Sequence, residues 1–222
     1  YQRQKLGAFA SSSEAVAYIL DKLSKYTHTR QVKNLLRILA HFSELYEHVD
    51  DCRMIIGDIA FDASLPTHVR NDAIDVMRAF PQHFSDFVSK AAEHCLVSDD
   101  SLHRYYLYSF IDKLGKLDDH FEVIIHELKQ LQKKDDTVDI TGSLFFDDLF
   151  KRIQSPSSLL KLLKFAVKNS TCIDKDPFKK TWNDLFRVAI YHHKTYGNAI
   201  TPIMLELFCE AEHRFCTELI NA

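Results

Sequence analysis

Residues 65–80 have the sequence LPTHVRNDAIDVMRAF, and this stretch decides the fold. Its apolar side chains recur at every fourth position and would share one face of a helix: Val69, Ala73 and Met77. Pro66 suits the first helical turn, because the N–H that proline lacks has no intrahelical partner there. Pro81 ends the pattern, because a residue that precedes proline is disfavoured in a helix. The stretch therefore predicts one amphipathic helix between two prolines.

The same helical pattern recurs at a spacing of 37 residues on both sides of this stretch. The matching positions are Val32, Leu36 and Ala40 in the earlier copy, and Tyr106, Phe110 and Leu114 in the later one. A fixed period in this range is typical of helical-repeat proteins. The chain has only 5 Gly and 5 Pro, which favours long helices with short connections. We predict an all-α fold of about ten or eleven helices, stacked as antiparallel hairpins in an α-solenoid.

The hairpin predicted for residues 52–80 resembles a HEAT or armadillo-type repeat. Such repeats often carry a proline near the start of the second helix and a V-R-x-x-A core, here Pro66 and residues 69–73. Neither neighbouring copy has the proline, and only the earlier one keeps a basic residue, Lys33, where this repeat has Arg70. The resemblance implies stacked hairpins whose second helices line the concave side of the array.

The domain organisation follows from the same periodicity. We expect residues 1–222 to form a single helical-repeat domain, excised from a longer protein because the chain opens on Tyr1 rather than Met. The longest polar break, KKDDTVDITG at residues 133–142, is a candidate sub-boundary. No apolar run approaches the roughly 18 residues that a bilayer span requires, so we expect no membrane span.

The number and spacing of the cysteines indicate in which cellular compartment the protein is expected. The chain has 5 cysteines, an odd number, and they are widely scattered. Cys209 and Cys216 fall on one predicted helix with Cα atoms about 10 Å apart, too far for a disulfide. Reduced thiols favour a cytoplasmic or nuclear protein. The glycosylation sequon at Asn169 supports the alternative, a location in the endoplasmic reticulum or outside the cell.

The chemistry-bearing residues form no recognisable catalytic or metal motif. There are 12 histidines, but no HExxH, CxxC or CxxH spacing. His41, Glu44 and His48 could share a helix face without completing a ligand set. No glycine-rich phosphate loop and no G-x-S-x-G motif is present. We expect no enzyme, no metal and no cofactor.

Charge is unevenly distributed along the chain. The net charge of −3 conceals a strong contrast: residues 43–150 carry −12 and residues 151–194 carry +7, with +5 before them and −3 after them. The candidate basic face within the second segment comprises Lys161, Lys164, Lys168, Lys179 and Lys180. Three interpretations are open: a solvated helix face, a docking surface for an acidic partner, or a nucleic-acid surface.

The function that these observations favour is a non-catalytic protein-interaction scaffold or adaptor in a larger intracellular complex. Its partner would be a peptide segment or another subunit of the complex. The candidate partner-binding residues lie on the second helices of the two central hairpins: Arg70, Asp75, Arg78, Arg104, Tyr108 and Asp112. The alternative is a helical-repeat nucleic-acid-binding module that uses the basic segment.

Overall fold

A computed structural model describes most of the first half of the chain and part of the second. The described residues are Tyr18, 21–23, Lys25, 29–41, 49–133, 155–168, 199, 201–202 and 205. The elements whose bounds the structure gives are seven α-helices and one 3-10 helix, and none of the described residues lies in a strand. The predicted all-α class is confirmed for this part of the chain.

The helices fall into two compact units, residues 1–116 and residues 117–222. The first unit contains α1 (Thr29–His41), α2 (Val49–Phe61), α3 (Thr67–Ala79), the 3-10 helix η1 (Pro81–Phe87), α4 (Val88–Val97) and α5 (Ser101–Lys113). The second contains α6 (Phe121–Lys133) and α7 (Pro156–Lys168), which contact each other. The sub-boundary that the sequence suggests falls almost wholly in residues 134–142, outside the described residues, so it stays a prediction.

The first unit is organised around α3, which contacts α1, α2 and α5. The face predicted from the four-residue spacing is confirmed, because Val69, Ala73 and Met77 are all fully buried. The equivalent positions in α1 and α5 follow the pattern in part. Leu36 and Phe110 are fully buried and Val32 nearly so, whereas the remaining three are half-buried: Ala40, Tyr106 and Leu114. The apolar register therefore continues into both neighbouring helices.

Two helices, α5 and α7, start where the sequence predicts, whereas the start of α3 differs from the prediction. The sequence offers Asp100 or Ser101 as the cap of α5, and in the structure the Asp100 carboxylate accepts from the backbone N–H groups of Leu102 and His103. The pair Ser155-Pro156 predicts a helix that starts at the proline, and Pro156 is the first residue of α7. Pro66 is not in the first turn of α3: its ψ of 140° keeps it outside the helix, and its carbonyl accepts from Val69 N–H.

The apolar pattern of residues 84–97 predicts one helix, but the structure has two helical segments there. The 3-10 helix begins at Pro81 and has a non-helical residue at Phe84, with φ −115° and ψ 15°, before α4 begins. This break lets both Phe84 and Phe87 enter the core. A Cβ at Gly57 in α2 would lie 2.4 Å from two ring carbons of Phe87, so the glycine permits this close approach.

Gly115 ends α5 for a conformational reason rather than a steric one. Its φ is 66°, in the left-handed region, and a Cβ there would meet nothing within 4 Å. The Gly115 N–H donates to the Asp112 carbonyl at 2.8 Å, and the Lys116 N–H donates to the Ile111 carbonyl at 3.2 Å. These two bonds form a Schellman cap that satisfies carbonyls at the helix end.

Candidate interaction surface

A half-exposed group of charged and aromatic side chains connects α3 with α5. We call Asp75, Arg78, Tyr105 and Tyr106 the Arg78 cluster. The Arg78 guanidinium donates to the Asp75 carboxylate at 2.7 Å, and the two side chains keep 24% and 38% of their surface exposed. The guanidinium carbon also lies 5.3 Å from the ring centroid of Tyr106 and 6.0 Å from that of Tyr105.

Burial and the neighbouring charges raise the pKa of one tyrosine of the Arg78 cluster, Tyr106. Burial raises the pKa of Tyr106 above its ordinary value, and the negative charge of Asp75 raises it further. The positive charge of Arg78 acts in the opposite direction. Arg78 Nε is itself buried and makes no hydrogen bond within the described residues. The cluster therefore presents a fixed cation, a carboxylate and two phenol rings at a helix–helix boundary.

A second polar contact between α3 and α5 is buried, and we call Arg70, Asn71 and His103 the polar joint. The His103 ring is fully buried, and its Nδ1 lies 2.6 Å from the Asn71 side-chain oxygen. Its Nε2 lies 3.4 Å from Nη1 of Arg70, whose Nη2 donates to the Thr67 hydroxyl at 3.1 Å. This contact fixes the N-terminal halves of the two helices against each other.

Burial is also the main influence on the protonation of His103. The pKa of His103 is lowered from 6.5 to about 4, first by the loss of water on burial and then by the nearby Arg70 charge. Asp100 acts in the opposite direction but does not outweigh these two. The His103 ring is therefore neutral at pH 7.

An ion pair between Arg37 and Asp72 connects α3 to α1 on its other side. Arg37 Nε donates to the Asp72 carboxylate at 3.4 Å, and the Arg37 side chain keeps 57% of its surface exposed. Side-chain contacts thus run from α1 through α3 to α5. They follow the three helices that carry the 37-residue recurrence.

The structure separates the six candidate partner-binding residues. Asp75 and Arg78 lie together in the Arg78 cluster, Arg70 belongs to the polar joint, and Asp112 is half-buried on α5. Arg104 is 4% exposed and donates to the Ser98 carbonyl at 2.9 Å. Tyr108 is 2% exposed. We therefore leave Arg104 and Tyr108 out of the surface proposed below.

The basic face is described in part. Lys161, Lys164 and Lys168 are all exposed on α7, opposite the buried leucines 159, 162 and 163. The Lys161 ammonium lies 5.4 Å from the ring centroid of Phe121 in α6. Lys179 and Lys180 lie outside the described residues. Three lysines therefore line one face of a helix that contains no acidic residue.

No group of three or more His, Cys, Asp or Glu side chains in the described part of the chain is placed to hold a metal ion. Among the helices there, none is both long and apolar enough to cross a membrane.

The described helices define the class of the protein as all-α. The chain matches no family model, no curated protein and no solved structure.

Proposed function

We propose that this chain is a non-catalytic protein-interaction scaffold, built as an α-solenoid of HEAT- or armadillo-like hairpins within a larger intracellular complex. The 37-residue recurrence supports the repeat architecture, because α1, α3 and α5 carry it and α3 contacts both of the others. Helices stacked in this way offer an extended surface that holds a partner by shape and charge.

The Arg78 cluster is the observation that carries the proposal. Arginine and tyrosine are enriched among residues that dominate binding energy at protein interfaces. Arg78 is already held by Asp75 and by two aromatic rings, so little side-chain freedom remains to be lost on binding. Asp112 lies seven residues after Tyr105, on the same face of α5, and would extend the surface. The partner is a peptide segment or another subunit of the complex.

A pull-down with a matched control tests this surface. The full chain, Arg78→Ala and Arg53→Ala would each be used to capture proteins from nuclease-treated extract, and a captured protein would then be purified and titrated. Arg53 also donates to an aspartate, Asp86, at 2.7 Å, but it lies on α2. We expect Arg78→Ala to weaken binding by about tenfold or more, as hot-spot truncation does, and Arg53→Ala to leave it unchanged.

Two results would count against the Arg78 cluster. One is a purified partner that binds the wild-type chain and Arg78→Ala equally well. The other is an equal loss on Arg53→Ala, which would indicate a general effect of removing surface arginines.

A second candidate function is nucleic-acid binding through the basic face, supported by the three exposed lysines of α7. Lysines that neutralise phosphates release counterions, so such binding weakens with salt. The three lysines stand at a spacing that places them along one side of the helix. The same charges would equally suit an acidic protein.

Salt-dependent titration with a single-stranded oligonucleotide tests this candidate. Replacing Lys161, Lys164 and Lys168 with alanine should lower the slope of log affinity against log salt by about two, since each neutralised phosphate contributes about 0.7. The matched control replaces three exposed lysines of the other unit: Lys90, Lys113 and Lys116. Equal slopes for the two triple variants would exclude a specific role for α7.

A further inference from the structure

The polar joint fixes where the proton of His103 sits. A guanidinium carries only hydrogen-bond donors, so Nε2 of His103 must be the acceptor facing Arg70. The neutral ring then carries its hydrogen on Nδ1, which donates to the Asn71 side-chain oxygen 2.6 Å away. In the alternative tautomer Nε2 would carry a hydrogen that faces a hydrogen of the Arg70 guanidinium, so two donors would meet without an acceptor. Each partner therefore requires the same tautomer.

A second proton has no acceptable position in this arrangement. Protonation at Nε2 would remove the acceptor for Arg70 and would place two positive charges about 3.4 Å apart. The ring is fully buried, so water cannot solvate the new charge without an opening of the contact between α3 and α5. Neutral His103 stabilises the joint, and charged His103 opposes it.

We propose that the polar joint is an acid-sensitive switch, in which protonation of His103 at Nε2 breaks its hydrogen bond with Arg70 and loosens α3 from α5. The charged and titratable groups around the ring are Arg70 on α3, His94 on α4 and Asp100 at the start of α5. Arg70 and His94 both oppose the new charge. The Asp100 carboxylate favours it, but that carboxylate is already engaged in capping α5.

The direction of the pH dependence follows from the two states of the chain. The pKa of His103 is about 4 in the folded protein and about 6.5 when the chain is unfolded. As pH falls through 6.5, the unfolded state takes up the proton first, so the folded state loses stability. The stabilisation is complete above pH 6.5 and is lost between pH 6.5 and pH 4. His94, whose pKa is also lowered by burial, acts in the same direction.

The switch is independent of the proposed function, although the two share a pair of helices. The Arg78 cluster also joins α3 to α5, so loosening the joint would separate Arg78 from the tyrosines. That consequence for a partner depends on the scaffold proposal, whereas the acid response of the joint does not. The test below uses no partner, so either proposal can fail without the other.

Native-state hydrogen exchange on the full chain provides the test. It would report the opening equilibrium constant for peptides from α3 and α5 between pH 7 and pH 4. In the His103→Gln variant the side chain can still accept from Arg70 and donate to Asn71, but it does not titrate. The matched control is His68→Gln, which alters an exposed histidine of the same helix.

We expect the wild type and His68→Gln to open about 10²-fold more at pH 4 than His103→Gln, when each is normalised to its own value at pH 7. The same pH dependence in all three proteins would overturn the proposal.

A nuclear magnetic resonance titration of the wild-type chain keeps the proposal testable if His103→Gln does not fold. Two-bond proton–nitrogen spectra of the imidazoles distinguish a protonated nitrogen from an unprotonated one. We expect hydrogen on Nδ1 and none on Nε2 at pH 7, with Nε2 protonated only near pH 4. Hydrogen on Nε2 at pH 7 would contradict the donor assignment and the proposal with it.

Discussion

The polar joint and the Arg78 cluster connect the same two helices, and burial is the main difference between them. Each combines an arginine of α3 with an aromatic ring of α5. His103 in the joint is fully buried, whereas Asp75 and Arg78 keep 38% and 24% of their side-chain surface exposed.

This difference assigns the two contacts separate roles. A buried polar group that loses its partner costs about 1–3 kcal/mol, because water cannot replace the lost hydrogen bond. A partly exposed ion pair contributes about 0–1 kcal/mol, because water competes for both charges. The joint should therefore determine how firmly α3 and α5 associate, while the cluster remains available for recognition. The predictions below test this division, beginning with the largest expected effect.

Removing the Asn71 side chain should give the largest loss of stability. Asn71→Ala leaves the His103 Nδ1 hydrogen buried without an acceptor, so we expect about 2–3 kcal/mol of destabilisation. Native-state hydrogen exchange on α3 would measure it. The matched control is Asn34→Ala, since Asn34 lies 37 residues earlier at the equivalent position but is exposed. We expect that change to stay within about 0.5 kcal/mol. Equal effects would show that burial does not distinguish the two asparagines.

The close approach of Gly57 to the Phe87 ring is a buried contact without polar groups, and it tests whether packing alone affects stability as much as the Asn71 hydrogen bond does. Gly57→Ala should destabilise the first unit by about 1–2 kcal/mol, because the new methyl overlaps the Phe87 ring. Shortening that ring in a Phe87→Leu background should remove most of the cost. The control is Gly115→Ala, whose penalty of about 1 kcal/mol arises from its positive φ. That penalty should be the same in both backgrounds. An unchanged cost at Gly57 would exclude the steric explanation.

The sequence predicted several helices in both units because their signals are local. The four-residue spacing of Val69, Ala73 and Met77, the cap at Asp100 and the helix start at Pro156 all depend on neighbours within a turn or two. The two differences are also local in origin. Pro66 takes an extended ψ just outside its helix, and a turn of 3-10 helix after Pro81 replaces the start of a longer α-helix.

The candidate site was harder to predict, because its contacts join residues that are far apart in sequence. Asn71 and His103 are 32 residues apart, and nothing in the local pattern of either helix pairs them. Tyr106 occupies a position whose counterparts, Val32 and Val69, are buried, yet it is half-exposed. Arg104 and Tyr108 appear as polar surface residues in sequence, but they are buried. Helical periodicity predicts which face is apolar, but not which polar side chains the neighbouring helices cover.

Removing the Arg78 side chain should have a small effect on folding. Arg78→Ala breaks a partly exposed ion pair and its contacts with two rings, so we expect a loss of at most about 1 kcal/mol. Arg53→Ala, which breaks the exposed pair with Asp86, should cost about as much. Hydrogen exchange on α2 and α3 would measure both. A loss of stability from Arg78→Ala as large as that from Asn71→Ala would contradict this division of roles. The Arg78 cluster would then stabilise the contact between α3 and α5 as much as the polar joint does.

The ionisation of Tyr106 offers the finest test, because it measures the electrostatics of the cluster without unfolding the chain. Burial and the Asp75 charge raise the pKa of Tyr106, while Arg78 lowers it. Arg78→Ala should therefore move that pKa higher still, and Asp75→Asn should move it down. Arg53→Ala should leave it unchanged. Alkaline titration of the assigned Tyr106 ring carbon by nuclear magnetic resonance separates it from the other tyrosines. If the pKa responds to Asp75 but not to Arg78, the guanidinium does not lie over the ring in solution, and the cluster loses its cation.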